Sequence, residues 1–106
     1  GVSQVEKAAG RFPQVSGIRY TFDPKKPAGT RLVSVSVGGN PLDPKARYTL
    51  ATFDFLLGGG DGYTMFKGAK VLVTPEMGPM DSDVLLERLK IGPISPATDG
   101  RIQRVP

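Results

Sequence analysis

Alternation of apolar and polar side chains predicts β-structure in the first half of this chain. Ile18, Tyr20 and Phe22 alternate with polar residues, which is the period-two pattern of a half-buried strand. A second alternation runs from Val33 to Val37, with serines between the valines. Because the connecting segments are short and rich in Pro, Gly and Asp, we expect these strands to pair as an antiparallel meander. The same reasoning predicts further strands over the ranges 47–52, 71–73 (buried) and 101–105.

The clearest helical signal covers residues 81–91. Asp81 or Ser82 can cap its start, and Gly92 and Pro93 end it. Acidic residues in its first turn and basic residues in its last turn complement the helix dipole. Its spacing of apolar residues predicts a buried stripe made of three leucines: Leu85, Leu86 and Leu89.

Two other segments have weaker helical signals. Residues 2–9 are helical in composition but have no capping residue before them, and we interpret them as the tail of a longer helix. Residues 63–66 fit a short strand or a helical turn equally. The predicted fold class is therefore α+β: a mixed, mainly antiparallel sheet with at least one packed helix. Residues 1–106 are expected to form a single domain that is a fragment of a larger one.

The strongest chemical signal is a glycine loop that follows the segment 47–52. Two aromatic residues, Phe53 and Phe55, lead into four glycines that surround Asp61. Glycine permits positive φ angles or a close approach of the backbone to a ligand, so Asp61 has neighbours that cannot shield it. A flat apolar ring beside an aimed hydrogen-bond acceptor suits a ligand with a flat ring and a diol, such as a nucleoside. The alternative is an ordinary glycine-rich turn between two elements.

Composition excludes several kinds of chemistry. The chain has no His and no Cys, so a Ser-His-Asp or Cys-His nucleophile and a thiolate zinc site are ruled out. The net charge of +4 comes from scattered basic residues, whereas a nucleic-acid binder is expected to cluster them. No apolar run is long enough to span a membrane.

The carboxylates of the glycine loop do not indicate catalysis. Asp54 and Asp61 could act as an acid and a base, but a glycosidase cleft normally requires a larger scaffold. No Walker sequence follows the glycines, and one aspartate in five residues is too few for a calcium loop. We therefore expect the chain to bind a ligand, with no catalytic residue and no metal or cofactor of its own.

The chain resembles the C-terminal domain of the 5′-nucleotidase family. The resemblance is carried by three blocks in the family's order and by the closing segment from 81 to 105. These blocks are Gly-Arg-Phe-Pro-Gln-Val-Ser-Gly at 10–17, Tyr-Thr-Leu-Ala-Thr at 48–52 leading into Asp-Phe-Leu at 54–56, and Gly-Gly-Asp-Gly-Tyr at 59–63.

The resemblance implies a nucleoside-binding role. Two phenylalanines of the family sandwich the base, and they correspond to Phe12 and Phe55. The aspartate of the glycine loop, here Asp61, holds the ribose hydroxyls, and Gly60 beside it is assigned to the same substrate site. Phe53 departs from the polar residue that many relatives have there, which leaves the base preference open.

Several parts of the family's machinery are expected outside these residues. Hydrolysis uses two divalent metal ions in a separate N-terminal metallophosphoesterase domain, and arginines that reach the phosphate precede the present segment. The resemblance also implies a periplasmic or extracellular location and a nucleotide or nucleoside as the small-molecule partner.

The main alternative is a non-catalytic, β-rich interaction module in which Phe12 and Phe55 belong to the core. In either case Tyr63 and Phe66 are predicted to be core residues. Arg19 and Arg31 are predicted to lie on solvated strand faces.

Overall fold

A computed structural model describes all of the chain, residues 1–106, and divides it into two compact units. The first unit comprises Gly1–Thr49 together with Thr98–Pro106, and the second comprises Leu50–Ala97. The single domain expected over 1–106 stays a prediction.

The first unit is built on a mixed sheet of four strands. These are β1 (Ile18–Phe22), β2 (Leu32–Val37), β3 (Asn40–Pro41) and β4 (Ile102–Arg104), in the spatial order β3-β2-β1-β4. β1 pairs antiparallel with β2 and parallel with β4, and β2 pairs antiparallel with β3. A 3₁₀ helix, Val2–Lys7, precedes the sheet and is interrupted at Gln4 by non-helical dihedral angles. The α+β class and the mixed, mainly antiparallel sheet are confirmed.

Alternation along β1 directs its aromatic side chains into the small core of this unit. Tyr20 and Phe22 are 6% and 4% exposed, and their ring centroids lie 6.3 Å apart. Phe12 joins them, with its ring edge-on to that of Phe22 at 5.8 Å. An aromatic cluster of this kind gains from offset and edge-to-face ring geometry in addition to its buried area.

The predicted strand over 47–52 is wrong, and a hairpin explains why. Gly38 and Gly39 both adopt positive φ, 58° and 86°, as the two central residues of a tight hairpin turn require. The chain therefore reverses at once after β2, and Val37 pairs with Asn40. The third strand of the meander is thus the short segment Asn40–Pro41, and residues 47–52 form no ladder.

Arg31 is a further correction. The sequence pattern predicts it on a solvated face, but it is only 6% exposed. Its guanidinium donates to both carboxylate oxygens of Glu6, at 2.8 and 2.9 Å, and to backbone carbonyls. Arg19 is exposed as predicted, and its Nη1 donates to the Asp99 carbonyl at 3.0 Å.

The second unit contains short helical segments and one longer helix. These are α1 (Asp54–Leu57), 3₁₀ helices at Gly60–Gly62 and Thr64–Gly68, and α2 (Asp81–Ile91). The open choice for residues 63–66 is thereby decided in favour of helical turns. Tyr63 and Phe66, predicted as core, are half-buried and stack at 5.5 Å with an interplanar angle of 24°.

Helix α2 has the predicted bounds but not the predicted environment. Met80 occupies the N-cap position, and the side chain of Asp81 accepts from the Ser82 amide within the first turn, at 2.8 Å. The expected buried stripe is wrong, because the three leucines are about half exposed: Leu85 57%, Leu86 50% and Leu89 48%. Leucine spacing identifies the apolar face of a helix but does not supply an element that covers it.

The predicted buried strand over 71–73 is also wrong. Leu72 and Val73 lie in a bend, and Val71, Leu72 and Val73 are 44–65% exposed. A run of three apolar residues is too short to indicate a strand by periodicity, and the second unit contains no strand with which it could pair.

Candidate functional site

The glycine loop of the second unit has an unusual backbone. Helix α1 ends at Leu57 and is followed by the C-cap residue Gly58, whose amide donates to the Asp54 and Leu56 carbonyls. Gly59 and Gly62 then adopt φ values of 91° and 80°, and Asp61 between them has φ 53° and ψ 22°. This left-handed conformation is uncommon for residues other than glycine, although aspartate tolerates it better than most. The loop therefore holds Asp61, with an exposed side chain, in a defined and sparsely populated conformation.

Phe55 lies with one ring face against the backbone of Gly60. A Cβ atom built on Gly60 would be 2.6 Å from Cε1, Cε2 and Cζ of Phe55. Equal distances to these three ring carbons place that position over the ring face, near the ring axis. Glycine at position 60 is therefore what lets the ring lie flat on the loop. Phe55 is nevertheless 61% exposed, so it presents apolar ring surface to solvent.

Lys67 crosses the same loop at the next glycine. A Cβ atom on Gly59 would lie 2.6 Å from Lys67 Cε and 3.4 Å from its Nζ. The aliphatic stem of a lysine commonly covers apolar or backbone surface while its ammonium stays in water. The sequence interpretation missed Lys67, because no spacing rule links position 67 to position 59. Lys67 and Phe55 thus both pack directly against glycines of the loop.

Phe12 lies in the first unit, within the aromatic cluster. Its ring is half-buried and is tilted against Tyr20 at 6.5 Å as well as edge-on to Phe22. The Tyr20 hydroxyl donates to the Pro13 carbonyl at 2.9 Å, which fixes the backbone next to Phe12. Phe12 therefore has partners of its own that account for part of its burial.

The structure brings three of the four predicted site residues together: Phe55, on helix α1, packs against the glycine loop that contains Gly60 and Asp61. The fourth, Phe12, belongs to the other unit. What the loop can do chemically follows from its two exposed groups. The ring of Phe55 offers a flat apolar face, and the carboxylate of Asp61 accepts hydrogen bonds. The assignment of these residues to a substrate site stays a prediction.

Other features of the chain lie apart from this loop. A groove of about 350 Å³ crosses the sheet of the first unit and is lined mainly by small and polar residues of β1 and β2. Asp99 and Arg101 line a second, smaller groove of about 190 Å³, where the side-chain hydrogen bonds from Arg101 lower the pKa of the Asp99 carboxyl to about 2. Since Arg101 is committed to Asp99 and to the Val15 carbonyl, this groove offers no free guanidinium from that residue.

The chain contains neither a cluster of metal ligands nor a helix that could span a membrane. Nowhere do three or more carboxylates converge as a divalent metal ion would require, so the residues present do not fit a metal centre. None of the helices has the length and apolarity needed to cross a bilayer.

Comparison with known proteins identifies the family. The model of the 5′-nucleotidase C-terminal domain matches residues 1–68. Protein 5NUC of Lutzomyia longipalpis is 38% identical over 102 residues, covering 88% of this chain and 18% of that protein. Snake venom 5′-nucleotidase of Gloydius brevicauda is 34% identical over 102 residues, covering 88% of this chain and 17% of that protein.

A solved structure agrees with these relatives. The crystal structure of a 5′-nucleotidase precursor from Thermus thermophilus matches with a TM-score of 0.88 at 38% identity, over 98% of this chain and 21% of that one. The chain is thus a small α+β assembly that spans about a fifth of the length of the proteins it matches. It belongs to the 5′-nucleotidase C-terminal domain family, as its sequence motifs indicated.

Proposed function

We propose that this chain is the nucleoside-recognising part of a metal-dependent, 5′-nucleotidase-like hydrolase that cleaves nucleotide phosphoesters. The single observation that carries the proposal is the exposed Phe55 ring, which lies flat on Gly60, beside the loop that exposes the carboxylate of Asp61. A purine or pyrimidine stacks on the ring, and the ribose hydroxyls donate to the carboxylate. The family resemblance assigns a base-contacting role to Phe12 as well.

The physical chemistry of the two contacts is complementary. Stacking a base on an aromatic side chain contributes about 1–3 kcal/mol and tolerates different bases. A carboxylate that accepts from both hydroxyls of a cis-diol favours ribose over deoxyribose, as the acidic residue of dinucleotide sites does. Phe55 therefore contributes affinity, and Asp61 contributes sugar selectivity.

The chemical step is assigned to a different part of the protein. The family resemblance assigns two divalent ions to a separate N-terminal metallophosphoesterase domain, where they would supply the attacking oxygen and neutralise phosphate charge. The residues described here bind and orient the nucleoside. The family resemblance also suggests a periplasmic or extracellular location.

Titration of adenosine into the full-length protein tests this function. Phe55→Ala is expected to weaken adenosine binding about 5- to 150-fold, the equivalent of one lost stacking contact. Asp61→Asn keeps a residue that tolerates the left-handed backbone and is expected to reduce the preference for adenosine over 2′-deoxyadenosine. Unchanged binding in both variants would contradict the proposal.

A second candidate function is a non-catalytic interaction module, and the packing of Phe12 favours it. A half-buried ring in contact with Tyr20 and Phe22 is what a core residue shows. The two candidates differ in what Phe12→Ala does. A core role alone lowers stability and leaves nucleoside affinity unchanged, whereas a substrate role also weakens adenosine binding.

A further inference from the structure

The backbone conformation of Asp61 requires support from its surroundings. Asp61 is the only residue of the second unit other than glycine that has a positive φ, 53°. Such a conformation is sparsely populated and persists only where the surrounding structure determines it. Because the Asp61 side chain is exposed, it contributes little to that constraint. The support must therefore come from contacts made by the neighbouring residues of the loop.

Two side chains make such contacts, on the two glycines that precede Asp61. The ring of Phe55 lies on Gly60, and the side chain of Lys67 lies on Gly59. From the position that a Cβ atom would take on Gly59, Lys67 Cε is 2.6 Å away, Nζ 3.4 Å and Cδ 3.5 Å. The end of the lysine stem therefore occupies the space that a side chain at position 59 would fill. Gly59 is half-buried as a result, although Lys67 itself is exposed.

Lys67 closes the segment 59–67 on itself. The Tyr63 amide donates to the Gly60 carbonyl at 3.0 Å, which closes the turn around Asp61. The 3₁₀ helix Thr64–Gly68 then carries Lys67 back to Gly59. Asp61 thus lies within a segment whose two ends are in contact through the lysine stem.

The stem of Lys67, and not its charge, makes this contact. None of the ion pairs in the structure involves Lys67. A lysine stem can cover backbone surface while its ammonium group stays in water. The contact with Gly59 is therefore one that an uncharged side chain of similar length could also make.

We propose that Lys67 is a positioning residue for Asp61. By covering Gly59, its aliphatic stem holds the glycine loop in place and so fixes the direction in which Asp61 presents its carboxylate to the ribose hydroxyls. The inference rests on the proposed nucleoside-binding function. It adds to that site a residue that acts through the loop backbone and not through contact with the ligand.

Isothermal titration of the full-length protein with adenosine and with 2′-deoxyadenosine tests the inference. The ratio of the two affinities measures the ribose contact, whereas a general loss of stability would weaken both ligands equally. Lys67→Ala removes the stem, and Lys67→Met keeps an unbranched apolar side chain without the charge. Lys70→Ala is the matched control, because Lys70 is an exposed lysine that follows the same 3₁₀ helix.

Lys67→Ala is expected to weaken adenosine binding about 2- to 12-fold, the equivalent of one lost hydrogen bond. It is expected to weaken 2′-deoxyadenosine binding by a smaller factor, so that the preference for ribose falls. Lys67→Met should regain most of this preference, and Lys70→Ala should bind both ligands as the wild type does. Once Asp61→Asn has lowered the preference, Lys67→Ala should lower it no further, since both residues act through the same contact.

The contrary outcomes separate the positioning role from the proposed function. If Asp61→Asn leaves the preference for ribose unchanged, both the ribose contact of Asp61 and its positioning by Lys67 are overturned. If Asp61→Asn lowers the preference but Lys67→Ala does not, or if the two losses simply add, the positioning role alone is overturned. The same holds if Lys67→Met loses as much preference as Lys67→Ala, because the ammonium group and not the stem would then be responsible.

Discussion

Replacement of Gly60 by alanine separates the binding role of Phe55 from its contribution to stability. The new methyl group would lie 2.6 Å from three ring carbons, whereas ordinary contact begins at 3.4 Å. The ring must therefore withdraw by about 0.8 Å or rotate away from the loop. The backbone of Gly60 needs no positive φ, so alanine introduces no conformational strain and the perturbation acts on the ring alone.

The expected magnitudes differ for binding and for stability. A displaced ring loses up to one stacking contact, about 1–3 kcal/mol, so adenosine affinity is expected to fall by up to about 150-fold. Because Phe55 is 61% exposed, moving it sacrifices little buried area. Alanine also restricts the unfolded chain, which stabilises by about 0.4–1 kcal/mol. We therefore expect the free energy of unfolding to change by less than about 1 kcal/mol.

Isothermal titration with adenosine and urea unfolding of the same variants measure the two effects. Gly68→Ala is the matched control, because it lies in the same unit, has no positive φ and would place its Cβ in open space. It is expected to leave adenosine affinity unchanged and to raise the free energy of unfolding only by the same unfolded-chain effect of about 0.4–1 kcal/mol. Combining Gly60→Ala with Phe55→Ala provides a second control, since the methyl group should have no effect on binding once the ring is gone.

Two results would refute this reasoning. If Gly60→Ala binds adenosine as well as Gly68→Ala does, the Phe55 ring does not bind the base. If Gly60→Ala instead lowers the free energy of unfolding by several kcal/mol, Phe55 is a core residue that contributes to packing and not to ligand binding.

Three further predictions follow from the packing and the charges. Phe22→Ala, which empties a position only 4% exposed, is expected to lower the free energy of unfolding by about 3–5 kcal/mol in urea titrations; a loss under about 1 kcal/mol would contradict the assigned core. The hydrogen bonds from Arg31 lower the pKa of Glu6 to about 2, so their stabilisation is complete above the unfolded pKa of about 4.5 and is lost as the pH falls through about 2. Glu6→Gln should therefore flatten this part of the stability-against-pH curve, and a curve identical to the wild type would exclude the linkage. Gly59 has φ 91°, and a Cβ there would lie 2.6 Å from Lys67 Cε, so Gly59→Ala is expected to lower the free energy of unfolding by about 1 kcal/mol or more. Adding Lys67→Ala should restore only the part of this loss that comes from the contact with Lys67. Full restoration would show that the backbone conformation at position 59 is unstrained for alanine.

The sequence predicted the elements of the fold that have local signals and missed those that depend on tertiary contacts. The alternation in β1 and β2 and the start and stop residues of α2 are local patterns, and these elements appear with nearly the expected bounds. Gly38 and Gly39 mark the end of a strand in the sequence pattern, but two consecutive glycines also allow a hairpin turn, and the third strand was misplaced as a result. Tertiary context, which no local pattern contains, decided the burial of Arg31.

The candidate site was predictable in a similar way. Glycines around Asp61 implied positive φ, and Gly59 and Gly62 adopt it, as does Asp61 itself. The contact between Phe55 and Gly60 was only implied by their closeness in sequence. The crossing of Lys67 over Gly59 depends on the course of the chain after the loop and could not be read from residue spacing.

A structure of the full-length protein with adenosine bound would test the nucleoside-binding role of the glycine loop without any mutation. We predict that the base stacks on the solvent-facing side of the Phe55 ring, with both ribose hydroxyls within hydrogen-bonding distance of the Asp61 carboxylate. Adenosine bound elsewhere, or bound with its ribose turned away from Asp61, would contradict this prediction.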